Sequence, residues 1–79
     1  MSLKPLVQKL VEAVVENPKA VSVEEEDDRG ASVFHVECDP DDVGRVIGKN
    51  GRVVNCIRQV VSAAGAKAKT RTYVKIDSD

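Results

Sequence analysis

The sequence has few of the residues that catalysis, metal binding or base stacking require. It contains one histidine, no tryptophan and two cysteines among 79 residues, and the cysteines do not have the spacing of a zinc site. Phe34 and Tyr73 are its only aromatic residues, which argues against a binder that stacks bases on aromatic platforms. No nucleophile–base pair or nucleotide loop is present either. We therefore expect neither an enzyme nor a bound cofactor or metal.

Long apolar runs are also absent. The N-terminal apolar residues are interrupted by Lys4, Gln8, Lys9 and Glu12, so they do not form a signal peptide or a membrane span. With no export signal, two unpaired thiols predict a reducing cytoplasm. Cys38 and Cys56 fall on or beside apolar faces, and we expect both to be free, structural thiols.

Charge is unevenly divided along the chain, although the net charge is only −1. Residues 1–44 carry 4 basic and 11 acidic side chains, and residues 45–79 carry 8 basic and 2 acidic ones. A basic stripe of this kind is typical of phosphate contact, even in a protein of low pI. Lysines placed for solubility explain the same pattern equally well.

The basic half opens on the stretch that organises the chain, residues 43–64. Two glycines, Gly48 and Gly51, enclose Lys49 and Asn50, and apolar residues recur every three to four positions on both sides. This pattern predicts two amphipathic helices joined by a sharp turn that glycine permits. Asn50-Gly51 is also a hairpin signal, which we rank second because the flanking periodicity is helical. The pattern of a P-loop is missing.

The remaining periodicities predict three strands and a further helix. Apolar spacing predicts a helix from Leu3 to Val15, ended by Asn17-Pro18. Alternation predicts strands at Ala20–Glu26, 33–38 and Thr70–Asp77, the second burying its Phe34 face. The helices around the glycine turn are predicted to begin at the cap Asp39, to stop at Gly48, to resume after Gly51 and to end at Ala64 with Gly65 as the stop.

Three shorter patterns have simple structural interpretations. Pro40, Asp41 and Asp42 suit the first turn of a helix capped by Asp39, so these carboxylates need not form a metal or acid–base site. The acidic run Glu24–Asp28 is interpreted as a solvated hairpin tip. Gly44 leaves one helix face without a side chain, which lets another backbone or a ligand come close.

The stretch Gly44-Arg45-Val46-Ile47-Gly48-Lys49-Asn50-Gly51-Arg52 resembles the G-x-x-G core of the KH domain, a binder of single-stranded nucleic acid. The element order helix–strand–strand–helix–helix–strand is similar to the type II, prokaryotic form. Size and order look most like the small bacterial single-KH RNA-binding proteins of the KhpA type. The resemblance implies an α+β fold in which three helices pack on one face of a three-stranded sheet, with one KH domain over residues 1–79.

By this resemblance, the loop clamps the sugar–phosphate backbone of single-stranded RNA, and DNA is not excluded. Bases would lie between the helix pair and the neighbouring strand, taken to be the Phe34 strand, with polar groups at residues 36–39 at their edges. Val43, Val46 and Ile47 would form an apolar floor, which implies broad sequence preference. The predicted RNA-binding residues are Val43, Arg45, Val46, Ile47, Gly48, Lys49, Asn50, Gly51, Arg52 and Asn55.

Such a protein would act as an RNA chaperone or post-transcriptional regulator in the cytoplasm. Because one KH domain contacts only about four nucleotides, we expect a second module, either a homodimer or a larger KH-containing protein. The alternative is a KH-like scaffold that binds protein rather than nucleic acid. Scaffolds of that kind usually lose the G-x-x-G or its cation, whereas Lys49 and Arg52 are present here.

Overall fold

Three helices pack on one face of a three-stranded mixed sheet in the computed structural model, which describes residues 3–76. The elements are α1 (Lys4–Glu12), β1 (Ser22–Asp28), β2 (Ala31–Glu37), α2 (Val43–Ile47), α3 (Arg52–Lys67) and β3 (Thr72–Ile76). Short 3-10 turns lie at Pro18–Ala20, Pro40–Asp42 and Lys49–Gly51. The predicted fold class and element order are confirmed.

The central strand of the sheet is β2. It pairs with β1 in antiparallel and with β3 in parallel orientation, so β1 and β3 are the two edge strands. Phe34 is fully buried beneath the helices, as its face of β2 was predicted to be. Its neighbours in the hydrophobic core are Val7, Val11, Val21, Val23, Val36, Val46, Ile57, Val61 and Val74.

The first helix is shorter than its apolar spacing predicts. It ends at Glu12, and the amide of Val14 bonds to the carbonyl of Val11 in a tighter turn. The amides of Glu16 and Asn17 donate instead to the two carboxylate oxygens of Asp42, each at 3.1 Å. Since those amides have a long-range acceptor, they do not continue the helical ladder, and the prediction of a helix to Val15 is corrected.

The acidic run Glu24–Asp28 lies in β1 and not at the tip of the hairpin. Each of its side chains is exposed along the sheet edge, where charge discourages pairing with another strand. The turn consists of Arg29 and Gly30, both with positive φ (56° and 86°), which matches the twist of a tight two-residue hairpin.

Gly65 is not the stop of α3, which continues for two more residues to Lys67. The helix ends in a Schellman-type motif: the amide of Thr70 donates to the carbonyl of Gly65 at 2.8 Å, and Lys69 takes the left-handed position at φ 57°. Gly65 serves packing instead. A Cβ there would lie 2.6 Å from Cγ2 of Thr72 and 2.7 Å from the carbonyl oxygen of Thr70.

Replacing Gly65 with alanine should therefore destabilise the fold, despite the better helix propensity of alanine. The clash with β3 should lower the free energy of unfolding by about 1–3 kcal/mol. Lys69→Gly removes the strain of a positive φ and should raise the free energy of unfolding by about 0.5–1 kcal/mol. Urea denaturation of both variants tests the assignment, and the opposite order of stabilities would contradict it.

The remaining boundaries shift by a few residues. The last strand runs over Thr72–Ile76, and the predicted end at Asp77 lies outside the described residues.

Cys38 follows β2 and packs half-buried against the core, where burial and then the charges of Asp42 and Asp39 raise the pKa of its thiol. Both cysteines are free, but Cys56 is exposed, so its predicted structural role is wrong.

Candidate nucleic-acid interface

The glycine-bounded turn joins two helices, as the apolar periodicity predicts. The amide of Gly48 closes α2 on the carbonyl of Gly44 at 2.8 Å, and α3 begins at Arg52. Asn50 and Gly51 both have positive φ, 58° and 75°. These are the left-handed conformations that Asn-Gly supplies to hairpins, used here between helices, so the hairpin alternative is wrong.

Gly48 brings the turn directly against the first turn of α3. Its φ is 76°, and a Cβ at this position would lie 2.5 Å from Cγ2 and 2.8 Å from the backbone nitrogen of Val53. Neither the conformation nor the space admits a side chain. Gly51 is less constrained by contact, because the nearest atom to its Cβ would be Nδ2 of Asn55 at 3.9 Å.

The start of α3 is electropositive and accessible. Within residues 3–76, no side chain caps this helix end and no acidic residue lies in its first turn. The amides of Gly51 and Arg52 donate to the carbonyls of Gly48 and Lys49. The helix runs for 16 residues, so its aligned peptide dipoles favour an anion at this end. The exposed side chains of Lys49 and Arg52 add positive charge beside it.

The predicted RNA-binding residues fall into three groups by exposure. Lys49, Asn50, Arg52 and Asn55 are exposed around the turn. Ile47 is 36% exposed and Val43 is half-buried, so both have apolar surface available. Val46 is fully buried in the core, which corrects its assignment to an exposed apolar floor.

Arg45 is engaged within the protein. Its guanidinium donates to the carbonyl of Asp41 at 3.1 Å and to Asp42 at 3.3 Å, and it pairs with Glu16 at 3.1 Å. Asp42 is only 2% exposed and also accepts the amides of Glu16 and Asn17, which follow α1. Asp42 thus joins α2 to the segment that follows α1, a role beyond the helix-start role that its sequence indicates.

Asp39 caps as predicted, although it caps the short turn that precedes α2. Its side chain accepts the amide of Asp41 at 2.9 Å and the side-chain amide of Asn17 at 3.2 Å. These two bonds, the backbone one first, lower the pKa of the Asp39 carboxyl. Each oxygen of Asp39 thus accepts one hydrogen bond within the protein.

Gly44 opens a gap on the exposed surface of α2. Apart from its two chain neighbours and the nearby backbone of its own helix, no heavy atom lies within 4 Å of the position that a Cβ on Gly44 would take. The close approach that its lack of a side chain permits is therefore not made by another part of residues 3–76.

A groove of about 750 Å³ lies between α3 and the outer edge of β3, and we call it the α3–β3 groove. It is lined by Arg58, Gln59, Ser62, Ala63, Ala66, Thr72, Tyr73, Val74 and Lys75. Among the strands, α2 and α3 pack chiefly against β3. The strand beside the helix pair is therefore β3, and the expectation of the Phe34 strand is wrong, because β2 is central and buried.

Arg58 and Lys75 are residues of this surface that the sequence prediction missed. Arg58 stands on the polar face of α3, and its Nε donates to the carbonyl oxygen of Val74 at 3.2 Å. Only the polar position on the helix is visible in the sequence. The hydrogen bond between Arg58 and Val74 joins residues 16 positions apart, so it depends on the packing of β3 against α3.

A second, smaller groove of about 340 Å³ lies between α1 and α3 and is mostly apolar. Its lining consists of Leu10, Ala13, Val14, Arg52, Val53, Cys56, Ile57 and Val60. Val60 is 46% exposed and presents apolar surface there. We call it the α1–α3 groove.

The family model described as "KhpA/KhpB, KH domain" matches residues 4–76. The chain belongs to the KhpA/KhpB KH-domain family. It is 36% identical to the RNA-binding protein KhpA of Oceanobacillus iheyensis, covering 94% of this chain and 99% of that protein. It is 41% identical to the KhpA of Caldanaerobacter subterraneus, covering 90% and 95% of the two chains.

Among solved structures, the fold is similar to the crystal structure of Aquifex aeolicus Era Y63A bound to GDP and AlF4⁻. The TM-score is 0.62 at 15% identity, over all of this chain and 33% of that one. At this identity the likeness concerns the fold alone. Within residues 3–76, no helix combines the length and apolar character needed to cross a membrane.

Proposed function

We propose that this KhpA/KhpB-family chain binds single-stranded RNA and that the Gly48–Gly51 turn clamps the sugar–phosphate backbone. The observation that carries the proposal is the N-terminus of α3, which has no side-chain cap and carries two exposed cations, Lys49 and Arg52, at the turn. The relatives named RNA-binding protein KhpA favour RNA as the partner.

The α3–β3 groove is the surface that we propose for the bases next to the clamp. Asn55 connects the two regions: its Nδ2 lies near Gly51, and its Oδ1 accepts Nη1 of Arg58 at 3.5 Å. A polar path therefore leads from the turn to the edge of β3. Few aromatic side chains line it, so stacking contributes little and sequence preference should be modest.

The cellular role follows from the same proposal. A small binder with modest sequence preference suits an RNA chaperone or a post-transcriptional regulator that acts in the cytoplasm. The scaffold alternative would gain support only if the loop cations proved irrelevant to binding.

The first test reverses the charge of the turn. Lys49→Asp with Asn50→Asp places two carboxylates where phosphate oxygens should lie, and asparagine and aspartate both tolerate the positive φ of position 50. RNA affinity should fall by about tenfold or more through like-charge repulsion, while the melting temperature should hardly change. Fluorescence anisotropy with a single-stranded RNA at moderate salt measures the effect.

A control variant with the same change in charge is available in the turn before β1. Lys19→Asp with Ala20→Asp alters two exposed residues of the turn before β1. It should weaken binding by less than about threefold, the residual long-range effect of net charge. Equal affinity of the loop variant and the parent would exclude the clamp and favour the scaffold alternative.

The second test fills the gap at Gly44. Gly44→Ala meets no protein atom and improves helix propensity, so it should raise the free energy of unfolding by about 0.5–1 kcal/mol. If RNA passes close over α2, the added methyl group should nevertheless weaken binding severalfold. Thermal melting and anisotropy on one preparation separate the two effects, and unchanged affinity would show that the ligand does not approach here.

We further propose that the chain works with a second module, a homodimer or a larger KH-containing protein, because one KH surface holds few nucleotides. The exposed Val60 of the α1–α3 groove supports a contact between modules.

Light scattering should find an assembly that Val60→Glu disrupts. Gln59→Glu adds the same charge at the neighbouring position and should leave the assembly intact. A parent that is monomeric and captures no KH-containing protein would contradict this.

A further inference from the structure

Arg58 bridges the two walls of the α3–β3 groove. It is held at Nε by the carbonyl of Val74, at 3.2 Å, and at Nη1 by Oδ1 of Asn55, at 3.5 Å. The first contact fixes the guanidinium against the edge strand, and the second aligns it along α3. A side chain that is normally flexible is thus oriented before any ligand arrives.

Most of the hydrogen-bonding capacity of this guanidinium is still available. Arginine carries five N–H donors, and the two contacts with Asn55 and Val74 use one on Nε and one on Nη1. The three donors that remain are one on Nη1 and two on Nη2, and one from each nitrogen can serve the end of the planar group that lies away from Nε. Two parallel donors at this end match a pair of adjacent acceptors on one ligand.

The surroundings of Arg58 favour acceptors over donors on the ligand. Among the described residues, the only charged side chains that line the α3–β3 groove are Arg58 and Lys75, and both are cationic. The carbonyl of Val74, an edge acceptor that could otherwise bind a base amino group, already receives Nε. A base edge that presents an amino group therefore finds fewer partners here than an edge that presents an oxygen and a ring nitrogen as acceptors.

We propose that Arg58 is a specificity-determining residue and that it selects guanine by donating to O6 and N7. This inference rests on the proposed RNA binding and assigns a base preference to the same surface. Guanine offers two adjacent acceptors on one edge, O6 and N7, and arginine is its commonest partner. Unpaired cytosine offers a second such pair, O2 and N3, so the cytidine oligonucleotide below is the competitor that decides the assignment. Arg58 lies about two helical turns along α3 from Gly51, so the preferred base would be a near neighbour of the clamped nucleotides.

The test uses fluorescein-labelled uridine octanucleotides that carry one central guanosine, adenosine, cytidine, inosine or 7-deazaguanosine. The parent should bind the guanosine and inosine forms roughly tenfold more tightly than the others. Inosine keeps O6 and N7, whereas 7-deazaguanosine lacks N7. Arg58→Lys keeps the charge but not the two-donor fork, so its affinities should lie within about twofold of one another.

Arg29→Lys is the matched control, because it makes the same chemical change at the exposed turn on the far edge of the sheet. It should keep the parent's preference. The inference is overturned if the parent binds all octanucleotides alike, or if Arg58→Lys retains the preference for guanosine over 7-deazaguanosine. In both cases RNA binding itself stands, whereas a parent that binds none of them overturns the proposed function as well.

Discussion

The absence of a side chain at Gly48 is the constraint on which the candidate interface depends. The backbone there takes φ 76° and lies so close to Val53 that a Cβ has no room. This contact ends α2 and starts α3 within four residues, with Asn50 and Gly51 in left-handed conformations. As a result, α3 begins without a capping side chain, and the field of a 16-residue helix is directed at this end.

A buried carboxylate holds the other end of α2. Asp42 accepts the amides of Glu16 and Asn17, and Arg45 supplies a charged donor, so the cost of burying the charge is offset. The same bonds end α1 early. One side chain thus holds the segment that follows α1 against the start of α2. Arg45 is consequently used within the fold, which leaves Lys49 and Arg52 as the cations of the turn.

Features set by neighbouring residues were predictable, and those set by returning strands were not. The helix–turn–helix at Gly48–Gly51, the capping by Asp39 and the buried Phe34 face depend on local spacing and backbone preference. The role of Gly65 depends on Thr72, which packs against it from another element, so a packing glycine resembled a stop signal. The burial of Val46, the identity of the strand beside the helix pair and the contact of Arg58 with Val74 likewise require tertiary arrangement.

The central claim is that RNA phosphates bind at the start of α3. Its most direct test is to follow backbone amide chemical shifts by NMR while a single-stranded RNA is added to the ¹⁵N-labelled protein. The account predicts that the amides of residues 49–53 shift most and earliest, and that the amides of the acidic strand β1 hardly move. Saturable shifts confined to β1 and the open face of the sheet, with the turn unchanged, would contradict it.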